Sequence, residues 1–202
     1  MEFTQILQRA ASGEKAAQEE LFARVAARLE VYVEHRLGRA MARRVEVQDV
    51  VQETLLRTLS ALPSATLSGE GPFLALVCTI ARNVIADIAR AARRQRRGGG
   101  AAQLSLARSD WSTAGAALPP DSSAGPYTRA ALGETRGRML IAWRALSPEH
   151  RRVIALRQFE GLSARETAQR VGSSEQAVHA QFRRALSRWG EELERLGGTA
   201  SG

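Results

Sequence analysis

The chain of 202 residues holds a single cysteine, Cys78, so an intrachain disulfide framework and a cysteine-based zinc site are both excluded. Its three histidines, His35, His150 and His179, are too scattered to suggest a metal cluster. No uninterrupted apolar run approaches ~18 residues, so no membrane span is expected. The first residues, MEFTQILQRAASGEK, mix acid and base and carry no apolar signal core. A reducing, cytoplasmic setting is the default expectation. Lysine is almost missing: among 29 basic residues only Lys15 is a lysine. Arginine stays charged at physiological pH and grips phosphate with a planar fork.

Hydrophobic residues make up 44% of the chain and charged residues 25%, a composition that folds. The formal net charge of +8 suits a polyanionic partner. Charge and periodicity divide the chain into three parts. Residues 1–97 carry 15 basic and 11 acidic side chains, net +4. Residues 98–131 are net neutral, rich in Gly, Ala, Ser and Pro, and read as a flexible linker. Residues 132–202 carry 12 basic and 8 acidic side chains, again net +4. Two small domains on a tether are therefore expected, with no internal repeat between them.

Both flanks read as helix. Phe3, Ile6, Leu7 and Ala10 share one face, and Gly13 offers a stop. Leu21, Val25, Leu29 and Val33 mark a second helix. Val47, Val50, Val51, Leu55 and Leu59 mark a third, ended by Pro63. Phe73, Leu76, Val77, Ile80, Val84 and Ile88 mark a fourth, after the breaker run SGEGP. No segment alternates with period two for long, so the fold class is all-α. About four helices precede the linker and three or four follow it.

The C-terminal part carries strong punctuation. Ser147-Pro148-Glu149 is a helix start, with Ser as N-cap and Pro at the first helical position. Ser163 with Glu166 three residues on predicts a capping box. Gly172 makes the next turn. Ser174 caps a third helix, whose apolar stripe is Val178, Phe182, Ala185 and Trp189. A short helix, a glycine-containing turn and a longer helix make a helix-turn-helix. With that stripe buried, the opposite face presents Gln176, Ala177, Ala180, Arg183 and Arg184, with His179 at its edge. Arginine reads guanine and glutamine reads adenine bidentately in a major groove, each pair worth roughly 1–3 kcal/mol of discrimination. A three-helix bundle with a merely solvated polar face is the blander alternative.

In the N-terminal part, Asp49, Gln52 and Glu53 form a polar stripe with Arg57 on the third helix. Such an acidic stripe on a basic protein suits a protein partner rather than DNA. The fourth helix carries Arg82, Asn83, Asp87 and then Arg90, Arg93, Arg94, Arg96 and Arg97. That arginine density reads as a phosphate-binding surface. Phe73, at the loop–helix junction, is expected mainly in the core, with stacking on an unstacked base as the functional alternative.

These segments together resemble a bacterial extracytoplasmic-function (ECF, group IV) sigma factor of the sigma-70 family. Asp49–Leu59, DVVQETLLRTL, is similar to the family's region 2.2. Phe73–Arg97 is similar to regions 2.3 and 2.4, and Leu146–Trp189 to region 4. The resemblance implies residues 1–97 as a four-helix, region 2-like domain and residues 132–202 as a region 4-like helix-turn-helix domain. It implies that Asp49, Gln52 and Glu53 contact core RNA polymerase at the β′ clamp helices. Asn83, Asp87, Arg90, Arg93 and Arg94 would lie along the promoter −10 element. Ser174, Gln176, His179, Ala180, Arg183 and Arg184 would meet the −35 duplex. The β flap and a sequestering anti-sigma protein are further implied partners, and no cofactor or metal is.

The chain departs from the family pattern at two places. Leu76 stands where members usually have Trp, and Ala177–Gln181, AVHAQ, replaces the usual T-V-K-S-R. Two basic residues and two hydroxyls are lost there, so the −35 contact is expected to be weaker or differently specific. The expected work is binding, not catalysis, since no nucleophile–base arrangement or phosphate loop is present. Two other classes are compatible with the residues: a stand-alone helix-turn-helix repressor, which has no use for the Asp49 stripe, and a protein-binding scaffold.

Overall fold

A computed structural model describes residues 2–97 and 126–198. Among these residues all regular structure is helical, as the periodicity predicts. The helices are α1 (Phe3–Ala11), α2 (Lys15–Met41), α3 (Val47–Ala61), α4 (Glu70–Arg97), α5 (Pro126–Ala145), α6 (Pro148–Ile154), α7 (Ala164–Val171) and α8 (Glu175–Gly198). Of the expected linker, residues 98–125 lie outside the described part. Pro126 to Ala131 form the start of α5.

In the N-terminal unit, α1 to α4 close around one apolar core. Ile6, Leu7 and Ala10 of α1 are buried, and Gly13 (φ 94°) turns the chain into α2. Burial in α2 follows the expected stripe through Leu21, Val25, Leu29 and Val33, and also takes in Tyr32 and Glu30. The helix is interrupted near its end at Gly38, whose φ of 62° and ψ of 170° belong to no helix. That break has no strong flanking sequence signal. Pro63 falls in a short 3₁₀ turn, Leu62–Ser64, that ends α3.

Helix α4 bears on two sequence expectations. Its segment Glu70–Arg94 is, by length and composition, apolar enough to cross a membrane, although no unbroken apolar run marks it. The same helix packs against α2 and α3, with Leu74, Val77, Cys78, Ala81 and Val84 buried, so it is the core helix of this unit. Phe73 is fully buried and its ring lies 5.8 Å from that of Phe3. A ring so enclosed offers no face to a base, and the stacking alternative falls.

The C-terminal unit follows its capping signals closely. The Ser147 hydroxyl accepts the His150 N–H at 3.2 Å and starts α6. Both halves of the Ser163–Glu166 capping box are formed. Gly172 sits at φ 73°, ψ 43°, the left-handed position that ends α7. One feature is unsignalled: α6 runs into a π-type turn, Ala155–Phe159, closed by Glu160 N–H to Ala155 O at 2.9 Å. Widening the helix there turns Phe159 into the core and leaves Glu160 and Gly161 at the tip of the next loop.

The two units pack against each other. Helix α5 lies along α2, and the π-type turn meets α4. Trp143, Phe159 and Trp189 form an aromatic cluster within the C-terminal unit, at centroid separations of 5.4 to 6.2 Å. Tyr32 and His35 of α2 join it edge-on, Tyr32 to Phe159 at 5.7 Å and His35 to Trp143 at 5.5 Å.

Candidate nucleic-acid interface

Helix α8 is positioned by its buried stripe. Val178 and Ala185 are fully buried and Trp189 is 8% exposed, while Phe182 is half-buried under the Arg157 guanidinium, 5.4 Å from the ring centroid. With that face fixed, Gln176, Ala177, His179, Arg183 and Arg184 are exposed and Ala180 is half-buried. The expected recognition face is therefore assembled on one side of one helix. Ser174 acts locally, its hydroxyl accepting the Ala177 N–H at 3.1 Å and capping α8. Among the described residues, no carboxylate pairs with Arg183 or Arg184.

Beside this face lies an open cleft of about 460 Å³ lined by Ser147, His150, Arg184, Ser187, Arg188 and Glu191. It joins the start of α6 to the middle of α8. Arg188, one turn beyond Arg184, is held by Glu191 at 3.1 Å and Glu192 at 3.2 Å. The i, i+4 spacing of Arg184 and Arg188 is the signal that would have drawn attention to Arg188 in the sequence. His150 carried no such signal, since its place on the cleft depends on how α6 crosses α8.

The N-terminal unit sets a second surface. Asp49 and Gln52 of α3 are exposed. Glu53 is half-buried and accepts from Arg57 Nε at 2.7 Å. Arg57 reaches across to α4 and donates through Nη1 to Asp87 Oδ2 at 3.0 Å. The other Asp87 oxygen accepts from Arg90. Burial works to raise the Asp87 pKa, but Arg57 and Arg90 outweigh it and hold the carboxyl below its ordinary range. Asp87 thus acts here through the placement of its two arginines. Asn83, Arg93 and Arg94 are exposed along α4. The side chains of Arg96 and Arg97 lie outside the described part.

The structure brings the expected residues together as two surfaces, not one. Asp49, Gln52 and Glu53 adjoin the Asn83–Arg94 face through Arg57, whose bridging role has no signal in the α3 stripe itself. The α8 face stands on the other unit. Among the described residues no group of three His, Cys, Asp or Glu side chains is placed to hold a metal ion.

A family model described as "ECF sigma factor" matches residues 1–195. The chain is 32% identical over 192 residues to the ECF RNA polymerase sigma factor SigD of Mycobacterium tuberculosis, covering 95% of this chain and 84% of that protein. It is 34% identical over 186 residues to the ECF RNA polymerase sigma factor ShbA of Streptomyces griseus, covering 91% of each. Among solved structures, CnrH in complex with the cytosolic domain of CnrY matches with 22% identity and a TM-score of 0.41, over 96% of this chain and 97% of that one.

Proposed function

The chain belongs to the ECF sigma factor family and is an RNA polymerase sigma factor that directs transcription initiation, and from that premise we propose how its surfaces divide the work. Residues 1–97 bind core polymerase and the −10 element. Residues 132–202 read the −35 element, and residues 98–131 connect them. The family is a non-catalytic initiation factor, so the contribution of this chain is binding energy and the polymerase supplies the chemistry.

On α3, Asp49 and Gln52 project from the surface where a basic face of the β′ clamp helices would dock, with Glu53 behind them on Arg57. On α4, Asn83, Arg90, Arg93 and Arg94 face the −10 strand, and Asp87 orients Arg90. On α8, Arg183 and Arg184 hold phosphate or guanine while Gln176, His179 and Ala180 set sequence preference. Ser174 contributes the cap that fixes the start of the recognition helix. The β flap would meet the C-terminal unit, where Ile141 and Leu186 are large apolar residues exposed among the described residues. An anti-sigma protein is a further partner on the family resemblance, and the setting is the cytoplasm, where polymerase works.

The observation that carries this assignment is the α8 face: two uncompensated arginines beside an exposed glutamine, on a helix whose opposite stripe is buried. In vitro transcription with core polymerase on a promoter library tests it. The expected result is initiation from a set of starts sharing two upstream elements, with the upstream preference altered by Gln176→Ala. Starts whose upstream sequence is indifferent to changes at Gln176, Arg183 and Arg184 would overturn the assignment of α8.

A further inference from the structure

A file of four charges crosses the N-terminal unit from the proposed polymerase-docking helix to the proposed −10 helix. Glu53 of α3 accepts from Arg57 Nε at 2.7 Å. Arg57 spans to α4, its Nη1 donating to Asp87 Oδ2 at 3.0 Å. The second Asp87 oxygen accepts from Arg90. The signs alternate, so each of the two inner groups is shared between two opposite neighbours. The side chains of Glu53, Arg57 and Asp87 are 24%, 29% and 20% exposed, whereas that of Arg90 is 64% exposed. Half-buried charges in contact are screened by salt far less than surface pairs. Hydrogen bonds linked in such a chain also polarise one another, so a change at one end is felt at the next bond.

Arg90 differs from the arginines beyond it. Arg93 and Arg94 stand exposed farther along α4, and among the described residues neither has a carboxylate partner. Arg90 spends part of its guanidinium on Asp87. A DNA phosphate must compete with that carboxylate for the same N–H groups. How firmly Asp87 holds Arg90 depends on how far Arg57 satisfies Asp87, and that depends on how far Arg57 is drawn to Glu53. Glu53 lies beside exposed Asp49 and Gln52, on the face proposed to meet a basic surface of polymerase. A cation docking on Glu53 draws its carboxylate away from Arg57. Arg57 then gives more to Asp87, and Asp87 holds Arg90 less.

We propose that Arg57 is a positioning residue that relays polymerase docking at Glu53 to Arg90, releasing the Arg90 guanidinium to a phosphate of the −10 strand. The relay rests on the reading of α3 and α4 as docking and −10 surfaces, and it adds that the two are coupled inside this chain. Coupling of this kind is reciprocal: a phosphate that takes Arg90 from Asp87 strengthens docking at Glu53 by the same factor. Lysine cannot stand in for Arg57, since a single ammonium lacks the planar fork that serves two carboxylates at once.

Glu53→Gln neutralises the α3 end of the file, as a docked cation would, and tests the relay in the full-length free chain. The probe is a fluorescein-labelled single strand of about twelve mixed-sequence nucleotides, followed by anisotropy at several salt concentrations. E53Q is expected to bind it about fivefold more tightly than the unmodified chain. Its slope of log affinity against log salt should steepen by about 0.7, the mark of one further phosphate contact. A variant that had merely lost structure would not gain affinity. R57K keeps the net charge and R90Q alters an exposed side chain, so both cut the file without emptying the core. In either background, the gain from E53Q should shrink to the direct effect of one lost carboxylate. With saturating core polymerase, the E53Q advantage on the same strand should vanish, because docking already engages that end. Strand binding unchanged by E53Q, or an equal gain in the R57K background, would overturn the relay. So would an E53Q advantage that persists undiminished on polymerase-bound protein. The underlying reading fails differently: the unmodified chain would then support no initiation with core polymerase, whatever E53Q does to strand binding.

Discussion

Arg57 of α3 and Asp87 of α4 are joined through Arg57 Nη1 and Asp87 Oδ2 at 3.0 Å, and the pair ties the proposed polymerase-docking helix to the proposed −10 helix. The same guanidinium holds Glu53, and the same carboxylate holds Arg90. Four charged groups from two helices therefore form one chain across the surface of the N-terminal unit. Removing either central member releases a cation or an anion from its partner. A double-mutant cycle of Arg57→Ala and Asp87→Ala is expected to show a coupling of about 1 kcal/mol in urea unfolding. A coupling near zero would mean that the two helices are held by their apolar contact alone.

Asp49 and Gln52 are exposed, whereas Glu53 is half-buried against Arg57. Charge reversal should therefore act most cleanly at Asp49. Asp49→Lys is expected to weaken core-polymerase binding by about 1 kcal/mol or more, chiefly through repulsion at the docked surface, with thermal stability unchanged. Glu53→Lys should weaken binding as well but also cost stability, because it sets a cation against Arg57. Competition titration against unmodified protein, beside a melting curve, separates the two.

Much of this architecture is legible in the sequence alone. The helix starts at Ser147, Ser163 and Ser174 and the left-handed turn at Gly172 each rest on a local rule, and each is formed as read. The proposed recognition face follows from one buried stripe, since fixing Val178 and Ala185 inward fixes Arg183 and Arg184 outward. What escapes such rules depends on contacts between distant segments. Nothing local to Glu30 or Glu34 announces Arg136 or Arg144, more than a hundred residues on. The π-type turn at Ala155–Phe159 likewise answers to packing, because it rotates Phe159 onto Tyr32 and Trp143. Phe73 is ambiguous in the sequence for the same reason: its partner, Phe3, lies at the other end of the unit.

The α8 face yields a prediction in salt dependence. Arg183→Ala and Arg184→Ala should each lower the slope of log affinity against log salt by about 1 if they hold duplex phosphate. His179 is exposed at the edge of the same face. His179→Lys adds a full charge there and should raise both the affinity and the slope, the latter by about 0.9. The measurement is a fluorescence-anisotropy titration of polymerase-bound protein on promoter DNA at several salt concentrations. Equal slopes for all three variants would take α8 out of the DNA interface.

Two glycines of the C-terminal unit should respond to alanine in opposite directions. Gly172 has φ 73° and nothing within 4 Å of an added Cβ, so its cost is purely conformational. Gly172→Ala should destabilise by about 1 kcal/mol, the penalty of a left-handed L-residue. Gly190 lies inside α8, also with open space around it. Gly190→Ala should stabilise by roughly 0.5–1 kcal/mol by removing backbone freedom from the unfolded chain. Thermal or urea unfolding of the two variants side by side reads the difference in sign.

His35 makes the contact between the units sensitive to acid. Its ring meets the edge of Trp143, and burial pushes its pKa below the ordinary histidine value. Arg151 of α6 and Arg36 of α2 push it further down, and Glu160 opposes them. The packed state thus favours the neutral ring. Above the ordinary value of about 6.5 the ring is neutral whether packed or free, so pH has no leverage there. As pH falls through that value, the free ring takes a proton that the packed ring resists, and the packed arrangement loses stability. The scattering radius of the unmodified chain should therefore grow, or its melting temperature fall, as the solution is taken from mildly alkaline to about one unit below that value. His35→Gln removes the titrating group at similar polarity and should flatten that dependence. An acid response of the same size in the variant would place the sensitive group elsewhere.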